Sequence, residues 1–477
     1  MRALVCLLVV SCLVWSNTGC ASRHVNARID CCASDSGYCY YARQRPHNNK
    51  EVLFVVAFSG GGTRAASLSY GVLEELARTE IGPPDHRRRM LDEVDVISSV
   101  SGGSVTAAAY AYYGDAVFHE YESRFLKRNV QGALIGDLLN PLNWPRLGSP
   151  NFGRSDLAAE YYDRILFNGA TFGDLCTKTG PFVVINATDV TTGARFEFTK
   201  DNFELICSDL DRYPISRAVA ASSAVPVVLS PITLNNYAGG CNYQLPHWLE
   251  LAQAQDGVCD RLLFHAQEVL SYQNRHGRPY IHLVDGGVSD NLGLRAALDV
   301  MMALELDDDH ARLFELDRVR KIVFVVVNAR AMPDRGWDQK ESPPNFIELA
   351  AASSAIPISR YSYETIELMK DMVARWCHAF GEEESEKLAP GHDASHPRIT
   401  FYPIVVRFED IADLEERSYF LNQPTSFALP DEAVDRLRGV AGQLLRESAM
   451  YQKLMHDLGE GAVVERPSNP DFASAEH

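Results

Sequence analysis

Positive charge is scarce in this chain. Lys and Arg number 45 against 63 Asp and Glu, for a formal net charge of −18. A surface this acidic repels phosphate backbones and argues against nucleic acid as a partner. The basic run His86-Arg87-Arg88-Arg89 sits beside Asp92 and Glu93 and reads as a solvated loop. Beyond residue 19 no apolar run reaches the ~18 residues that a bilayer-spanning helix needs. Repeated Cys-x-x-Cys spacing is missing, so a Cys/His metal site around Cys31, Cys32 and Cys39 has no support and no metal is expected. No glycine-rich stretch ends in Gly-Lys-Ser/Thr, which argues against a nucleotide-binding loop. No internal repeat is visible.

What is present describes a folded protein. Hydrophobic residues make up 46% and charged residues 23% of 477 residues, enough for one large α/β domain or two medium ones. Residues 1–19 read as a targeting segment: Arg2 is followed by an apolar stretch, Ala3 to Trp15, broken only by Ser11. Asn17-Thr18-Gly19-Cys20 resembles a bacterial lipobox, with Asn17 where such boxes usually carry Leu. The expectation is that Cys20 becomes a lipidated N-terminus, anchoring the protein to a membrane of the bacterial cell envelope. An ordinary secretory peptide cut nearby, giving a secreted or periplasmic protein, is the alternative. Residues 20–48 are polar and irregular and read as a tether. An oxidising compartment favours disulfides among Cys31, Cys32, Cys39, Cys176, Cys207, Cys241, Cys259 and Cys377. A Cys241–Cys259 bridge is expected to close one insertion.

The element pattern is α/β. Seven apolar residues, Val52 to Phe58, run without a break, as in a strand buried on both faces. Ser59-Gly60-Gly61-Gly62-Thr63 interrupts them, and Ala65, Leu68, Val72, Leu73 and Leu76 then recur at helical spacing. A second strand, Val94 to Val100, stops at Ser101-Gly102-Gly103-Ser104 before another helix through Ala107–Tyr110. Further strands are expected at Phe182–Thr188, Ala194–Thr199, Tyr280–Val284, Ile322–Asn328 and Thr400–Arg407. Helices are expected near Pro214–Ser222, Leu292–Leu306, Tyr363–Phe380 and Glu432–Glu447. Gly381–Pro397 reads as a surface loop. Alternation of this kind predicts a three-layer α/β/α fold with a central, mostly parallel sheet. The expected division is a catalytic core at 49–300 with an insertion at about 235–277, a C-terminal part of the same domain at 301–457, and a flexible tail at 458–477.

Three motifs carry chemistry. In Ser99-Val100-Ser101-Gly102-Gly103 a serine stands between strand and helix, with small residues two positions away on either side. The following helix points its positive end at the turn, which favours a developing oxyanion. Ser104 is a rival nucleophile, placed awkwardly between Val100 and Thr106. In Gly60-Gly61-Gly62-Thr63-Arg64, three glycines at a strand end let backbone N–H groups converge on an anion. Arg64 either orients this loop or is simply solvated. In Leu283-Val284-Asp285-Gly286-Gly287, an acid at a strand end can be held against another turn. Between Asn129 and Arg154, Leu134, Ile135, Leu138, Leu139, Leu142, Trp144 and Leu147 lie among breakers. That segment reads equally as a lid or acyl-chain mouth and as a buried crossover.

Together these motifs resemble the patatin-like phospholipase family. Gly60–Arg64 matches its oxyanion motif, with Ala65 where Gly is common, and Ser101 and Asp285 fall on its nucleophile and acid. Ala187–Gly193 and Ala220–Pro226 resemble two intervening segments, so the resemblance spans about residues 50 to 295. It implies a lipid acyl hydrolase with a Ser101–Asp285 dyad and an oxyanion hole from Gly60, Gly61 and Gly62. Arg64, Gly102, Gly103, Gly286 and Gly287 would support it, without cofactor, on a membrane phospholipid or lysophospholipid. Asn186 and Asp189 are assigned to a structural turn. Two rivals remain: a Ser-His-Asp hydrolase, whose histidine would be His310, His378, His392 or His396, and a non-catalytic envelope lipoprotein.

Overall fold

The computed structural model describes residues 23–32, 37–43, 45, 48–83, 85–254, 260–306, 318–332, 336–380 and 399–459. The leader, Cys20, Cys259, His310, His392, His396, the 381–397 loop and residues 460–477 lie outside the described residues.

The apolar runs become the strands of one sheet. They are β1 (Val52–Phe58), β2 (Val96–Val100), β3 (Phe182–Asp189), β4 (Arg195–Glu197), β5 (Ile232–Asn235), β6 (Tyr280–Asp285), β7 (Lys321–Asn328) and β8 (Thr400–Arg407). Their order is β8-β7-β1-β2-β3-β6-β5, with β4 also paired to β3. The β8, β7, β1, β2 and β3 neighbours are parallel, whereas β4 and β6 run antiparallel to β3 and β5 antiparallel to β6. Register decides what meets at the sheet's edge. Phe58 pairs with Ser99, Ser99 with Ile185, and Ala187 with Asp285. The chain segments that follow β1 and β2 therefore emerge beside the end of β6.

Side-chain alternation along β1 sorts the two faces. Val52, Phe54, Val56 and Phe58 join one core with α1 (Gly62–Arg78), α2 (Gly102–Tyr113) and α10 (Asp431–Glu447). Leu53, Val55 and Ala57 join another, covered by α6 (His247–Ala254), α7 (Asp260–Ser271), α8 (Leu294–Leu306) and α9 (Phe346–Phe380). Helices on both faces of a mostly parallel sheet make the expected three layers. Each large side chain buried in this way contributes roughly 1.5–3 kcal/mol.

Several boundaries differ from the sequence reading. β2 begins at Val96 because Asp95 turns its carboxylate back onto Phe54 N–H (2.7 Å) and Asn48 Nδ2 (2.9 Å). The helix expected from Tyr363 starts at Phe346 and runs through Pro357. β5 was not expected; it pairs only with β6 and carries a short apolar pattern. The tether expected at 20–48 is, over its described residues, a strap laid on the domain. Tyr38 is fully buried, accepting from Val183 N–H (2.8 Å) and donating to Val183 O (3.2 Å). Buried Arg43 donates to the carbonyls of Leu175 and Pro181. Aromatic burial and these backbone bonds outweigh the segment's polar composition.

The disulfide also differs. Cys241 is bonded to Cys207, not to Cys259, with Cα atoms 5.6 Å apart. Tyr237 N–H donates to Ile206 O (3.0 Å), which lays the 237–241 turn against Cys207. Non-reducing digestion should yield a linked Cys207–Cys241 peptide. Replacing both cysteines with Ser should lower the unfolding free energy by roughly 3–4 kcal/mol in a urea titration, the chain-entropy value for a loop of this length.

Candidate functional site

Two glycine-rich turns pack backbone against backbone. After β1, Ser59 N–H donates to Val327 O (3.1 Å) and Gly60 N–H to Asn291 O (2.9 Å). A Cβ on Gly60 would stand 2.5 Å from Asn291 Oδ1 and 3.2 Å from Ser101 Cβ. A Cβ on Gly102 would overlap the Gly62 carbonyl oxygen, and one on Gly103 would come within 2.7 Å of Ser59 O. Gly61 and Gly62 have φ of 140° and 62°, open to glycine at little cost. Among the described residues their N–H groups have no hydrogen-bond partner, whereas those of Gly60 and Thr63 are taken by Asn291 and Ser426. Gly60 therefore has no free donor to offer an oxyanion, unlike the expectation that grouped it with its two neighbours. Its part is to admit Ser101.

Ser101 itself is strained. Its φ of 52° and ψ of −119° are unusual for a residue with a side chain. Its N–H donates to Ser222 Oγ (2.8 Å), and its Oγ donates to Asp285 Oδ2 (2.9 Å). Both residues are buried. The other carboxylate oxygen of Asp285 accepts from Gly287 N–H (2.8 Å), while Asp285 N–H donates to Ala224 O (3.0 Å). Burial pushes the Asp285 carboxyl up to about 6, against the opposing bonds from Gly287 and Ser101. Among the described residues no cation and no histidine bears on it.

Ser104 is placed apart from the acid. Its Oγ lies 3.2 Å from Ser99 Oγ and 2.9 Å from Ser222 Oγ, in the first turn of α2. Ser222, the last residue of α5 (Ile215–Ser222), donates to Asn186 O (2.6 Å). Asn186 Nδ2 in turn holds Ser98 Oγ and Ser99 O, each at 3.0 Å. Asn186 thus belongs to the support of the serine turn within β3, not to the turn after it. Asp189 does stand at that turn, accepting from Thr191 N–H (3.0 Å) and paired with Arg278. Sequence reasoning missed Ser222 and Asn291 as contributors, since each acts through a contact that only the fold creates. Gly286 N–H donates to Ser222 O (3.1 Å), tying the acid's turn to the same support.

Arg64 is buried, not solvated. It donates to Ala329 O (2.8 Å), Gln423 O (2.6 Å) and Thr425 Oγ1 (3.0 Å), and burial lowers its pKa to about 10. These bonds tie the glycine loop to the end of β7 and to the 423–425 loop. Of the rival histidines, His378 is exposed near the end of α9. An apolar cavity of about 230 Å³, lined by Leu53, Val55, Phe324 and Trp248 among others, lies on the face of α6–α8; neither Ser101 nor Asp285 lines it. Among the described residues no group of three or more His, Cys, Asp or Glu side chains is gathered as a metal site would require.

The raised pKa of Asp285 has a stability consequence. Below the ordinary carboxylate value of 3.8 the group is protonated in both states and costs nothing. As pH rises through about 6 the buried carboxylate must ionise, and about 3 kcal/mol of stability is lost. Asp285→Asn should therefore gain stability over the parent between pH 4 and pH 7 and hold a constant gain above that. Urea unfolding at stepped pH reads it directly; a pH-independent difference would contradict it.

A family model described as patatin-like phospholipase matches residues 56–298. No curated protein sequence matches the chain. Among solved structures, human GIVD cytosolic phospholipase A2 is similar at 13% identity and a TM-score of 0.40, over 86% of this chain and 60% of that one. The same human enzyme in complex with methyl gamma-linolenyl fluorophosphonate is similar at 14% identity and a TM-score of 0.37, over 88% and 62%. The chain thus spans about three fifths of the length of these neighbours. With the family match covering its sheet from β1 to β6 and both glycine-rich turns, this chain belongs to the patatin-like phospholipase family.

Proposed function

We propose that the protein is a lipid acyl hydrolase acting on membrane phospholipid or lysophospholipid. The observation that carries this reading is the 2.9 Å hydrogen bond from Ser101 Oγ to Asp285 Oδ2, between residues 184 positions apart. In the proposed reaction Asp285 accepts the Ser101 proton while Oγ attacks the ester carbonyl. The tetrahedral oxyanion is received by the free N–H groups of Gly61 and Gly62. Collapse expels the alcohol, which takes the proton from Asp285, and leaves an acyl-serine. Water, deprotonated by Asp285, then releases the fatty acid and restores Ser101. A carboxyl pushed up to about 6 suits this duty better than an ordinary Asp, since a base works best when its pKa lies nearer the operating pH. Family membership supports the substrate class. Among the described residues no histidine bears on Asp285, and His378 is exposed, which favours the dyad over a triad through His378.

Anchoring through a lipidated Cys20 in a bacterial envelope belongs to the same proposal, supported by Thr18-Gly19-Cys20 after a short apolar run. Mass spectrometry of the mature N-terminus is expected to find an acylated Cys20. A free end beyond residue 20 would refute the anchor.

Ser101→Ala should abolish turnover and labelling by a fluorophosphonate probe. Asp285→Asn should cost at least ~10²-fold in kcat. Initial rates should rise with pH on a limb centred near 6, reporting ionisation of Asp285. His310, His378, His392 and His396 changed singly to Ala should keep most activity. One of them proving as damaging as Asp285→Asn, in folded protein, would replace the dyad with a triad.

A further inference from the structure

The 129–154 segment is neither a buried crossover nor a disordered loop. It opens with α3 (Val130–Leu139) and continues through short turns to Leu147. Val130 is buried, but Ile135 and Leu138 are exposed, and Leu139, Leu142 and Trp144 are 66%, 82% and 58% exposed. Asparagine side chains of this stretch bond its own backbone. Asn129 caps Gly132 N–H (2.7 Å), Asn140 caps Leu142 N–H (3.1 Å), and Asn143 Nδ2 donates to Asp137 O (2.7 Å). Even the Trp144 indole N–H is spent on Leu138 O (3.3 Å). The backbone is satisfied from within while the apolar side chains protrude, the reverse of an ordinary surface turn.

The patch is joined to the site. Gln131 Oε1 in α3 accepts from Ser426 Oγ (2.7 Å) and Phe427 N–H (3.3 Å), Gln131 N–H donates to Phe427 O (3.1 Å), and Ser426 O accepts from Thr63 N–H (2.8 Å) beside Gly62. A second apolar projection, Val227–Val228, follows Ala224, whose carbonyl holds Asp285 N–H. Val227 is held exposed at φ 73°, a costly conformation for a β-branched residue. One projection is therefore tied to the glycine loop and the other to the acid. Two of the flanking arginines are paired, Arg146 with Glu160 in α4 (Arg154–Tyr162) and Arg164 with Asp137. The chain as a whole carries a net charge of −18, so an anionic surface is repelled at long range.

We propose that Leu139, Leu142 and Trp144, with Ile135 and Leu138, insert into a zwitterionic lipid surface and dock the site on it. Protruding aliphatic side chains with an amphipathic indole suit the headgroup–acyl boundary. The net charge of −18 opposes binding to anionic lipid, so docking should rest on apolar insertion into a zwitterionic surface. The proposal deepens the hydrolase reading by naming where the enzyme meets its substrate, yet docking itself needs no turnover.

The test uses the full chain with Ser101→Ala, so that no lipid is consumed, and phosphatidylcholine vesicles containing brominated phosphatidylcholine. Bromine should quench Trp144, seen as the difference between this protein and its Trp144→Phe derivative. Leu139→Ser with Leu142→Ser should abolish that difference. In the Ser101 enzyme the same pair should slow hydrolysis of vesicle lipid at least ~10-fold and leave soluble p-nitrophenyl butyrate turnover within about twofold. Unchanged quenching in the double variant, or parallel loss of soluble-ester turnover, overturns the proposal. So does a double variant that only converts a dimer to monomer, since the patch would then be a self-association face. Quenching lost in the double variant, in a protein that hydrolyses neither ester, upholds docking while the hydrolase reading fails.

Discussion

Everything at this site depends on two backbone turns touching with no side chain between them. Gly102 and Gly103 sit against the carbonyl oxygens of Gly62 and Ser59, and Gly60 sits against the Ser101 Cβ. Interiors packed at crystal-like density cannot absorb a methyl group there without moving a strand. Contact this close requires β1 and β2 to be adjacent and parallel with Phe58 opposite Ser99, which is the register observed. It also holds Ser101 at a positive φ. The local cost, of order 1–3 kcal/mol, is borne by the surrounding sheet.

The acid is treated differently from the other buried carboxylates. Asp189 is paired with Arg278, and Asp299 with Arg195 and Arg261. Asp290 stands in the field of Arg195 and Arg295. Among the described residues Asp285 has only a backbone N–H and the Ser101 hydroxyl. Leaving one buried carboxyl without a cation costs stability and raises its proton affinity, the combination expected where a group exchanges a proton in the course of its work.

Much of what holds the glycine loop lies outside the family match. Ala329, Gln423 and Thr425 receive the Arg64 guanidinium, and Ser426 receives Thr63 N–H. Strands β7 and β8 extend the sheet past β1, so the C-terminal part of the chain is the outer wall of the site. The strap at the N-terminus closes the other end through Tyr38 and Arg43. Around this frame the surface carries an apolar projection at 135–144 whose polar atoms are satisfied internally.

Local pattern was enough for much of this. The unbroken run Val52–Phe58 reads as a strand buried on both faces, and the glycines after it as a turn of close backbone approach. The same reasoning picked out Ser101 and Asp285, because a small-residue turn between strand and helix and an acid at a strand end are local signatures. Features set by distant partners were not legible. Cys207 and Cys241 are joined because the 237–241 turn lies on Ile206, and no spacing rule reports that contact. Arg64 looks like a solvated helix-start residue until the chain returns at 423–425 to cover it. Gly60 looks equivalent to Gly61 and Gly62 until Asn291 takes its N–H. The sequence by itself determined most of the strands, the glycine-rich turns and the candidate site side chains, since periodicity and steric freedom are properties of neighbouring residues. Which N–H groups stay free, which acid goes unpaired and which apolar side chains face outward were decided only by tertiary structure, because each depends on a partner more than a hundred positions away or on the lack of one.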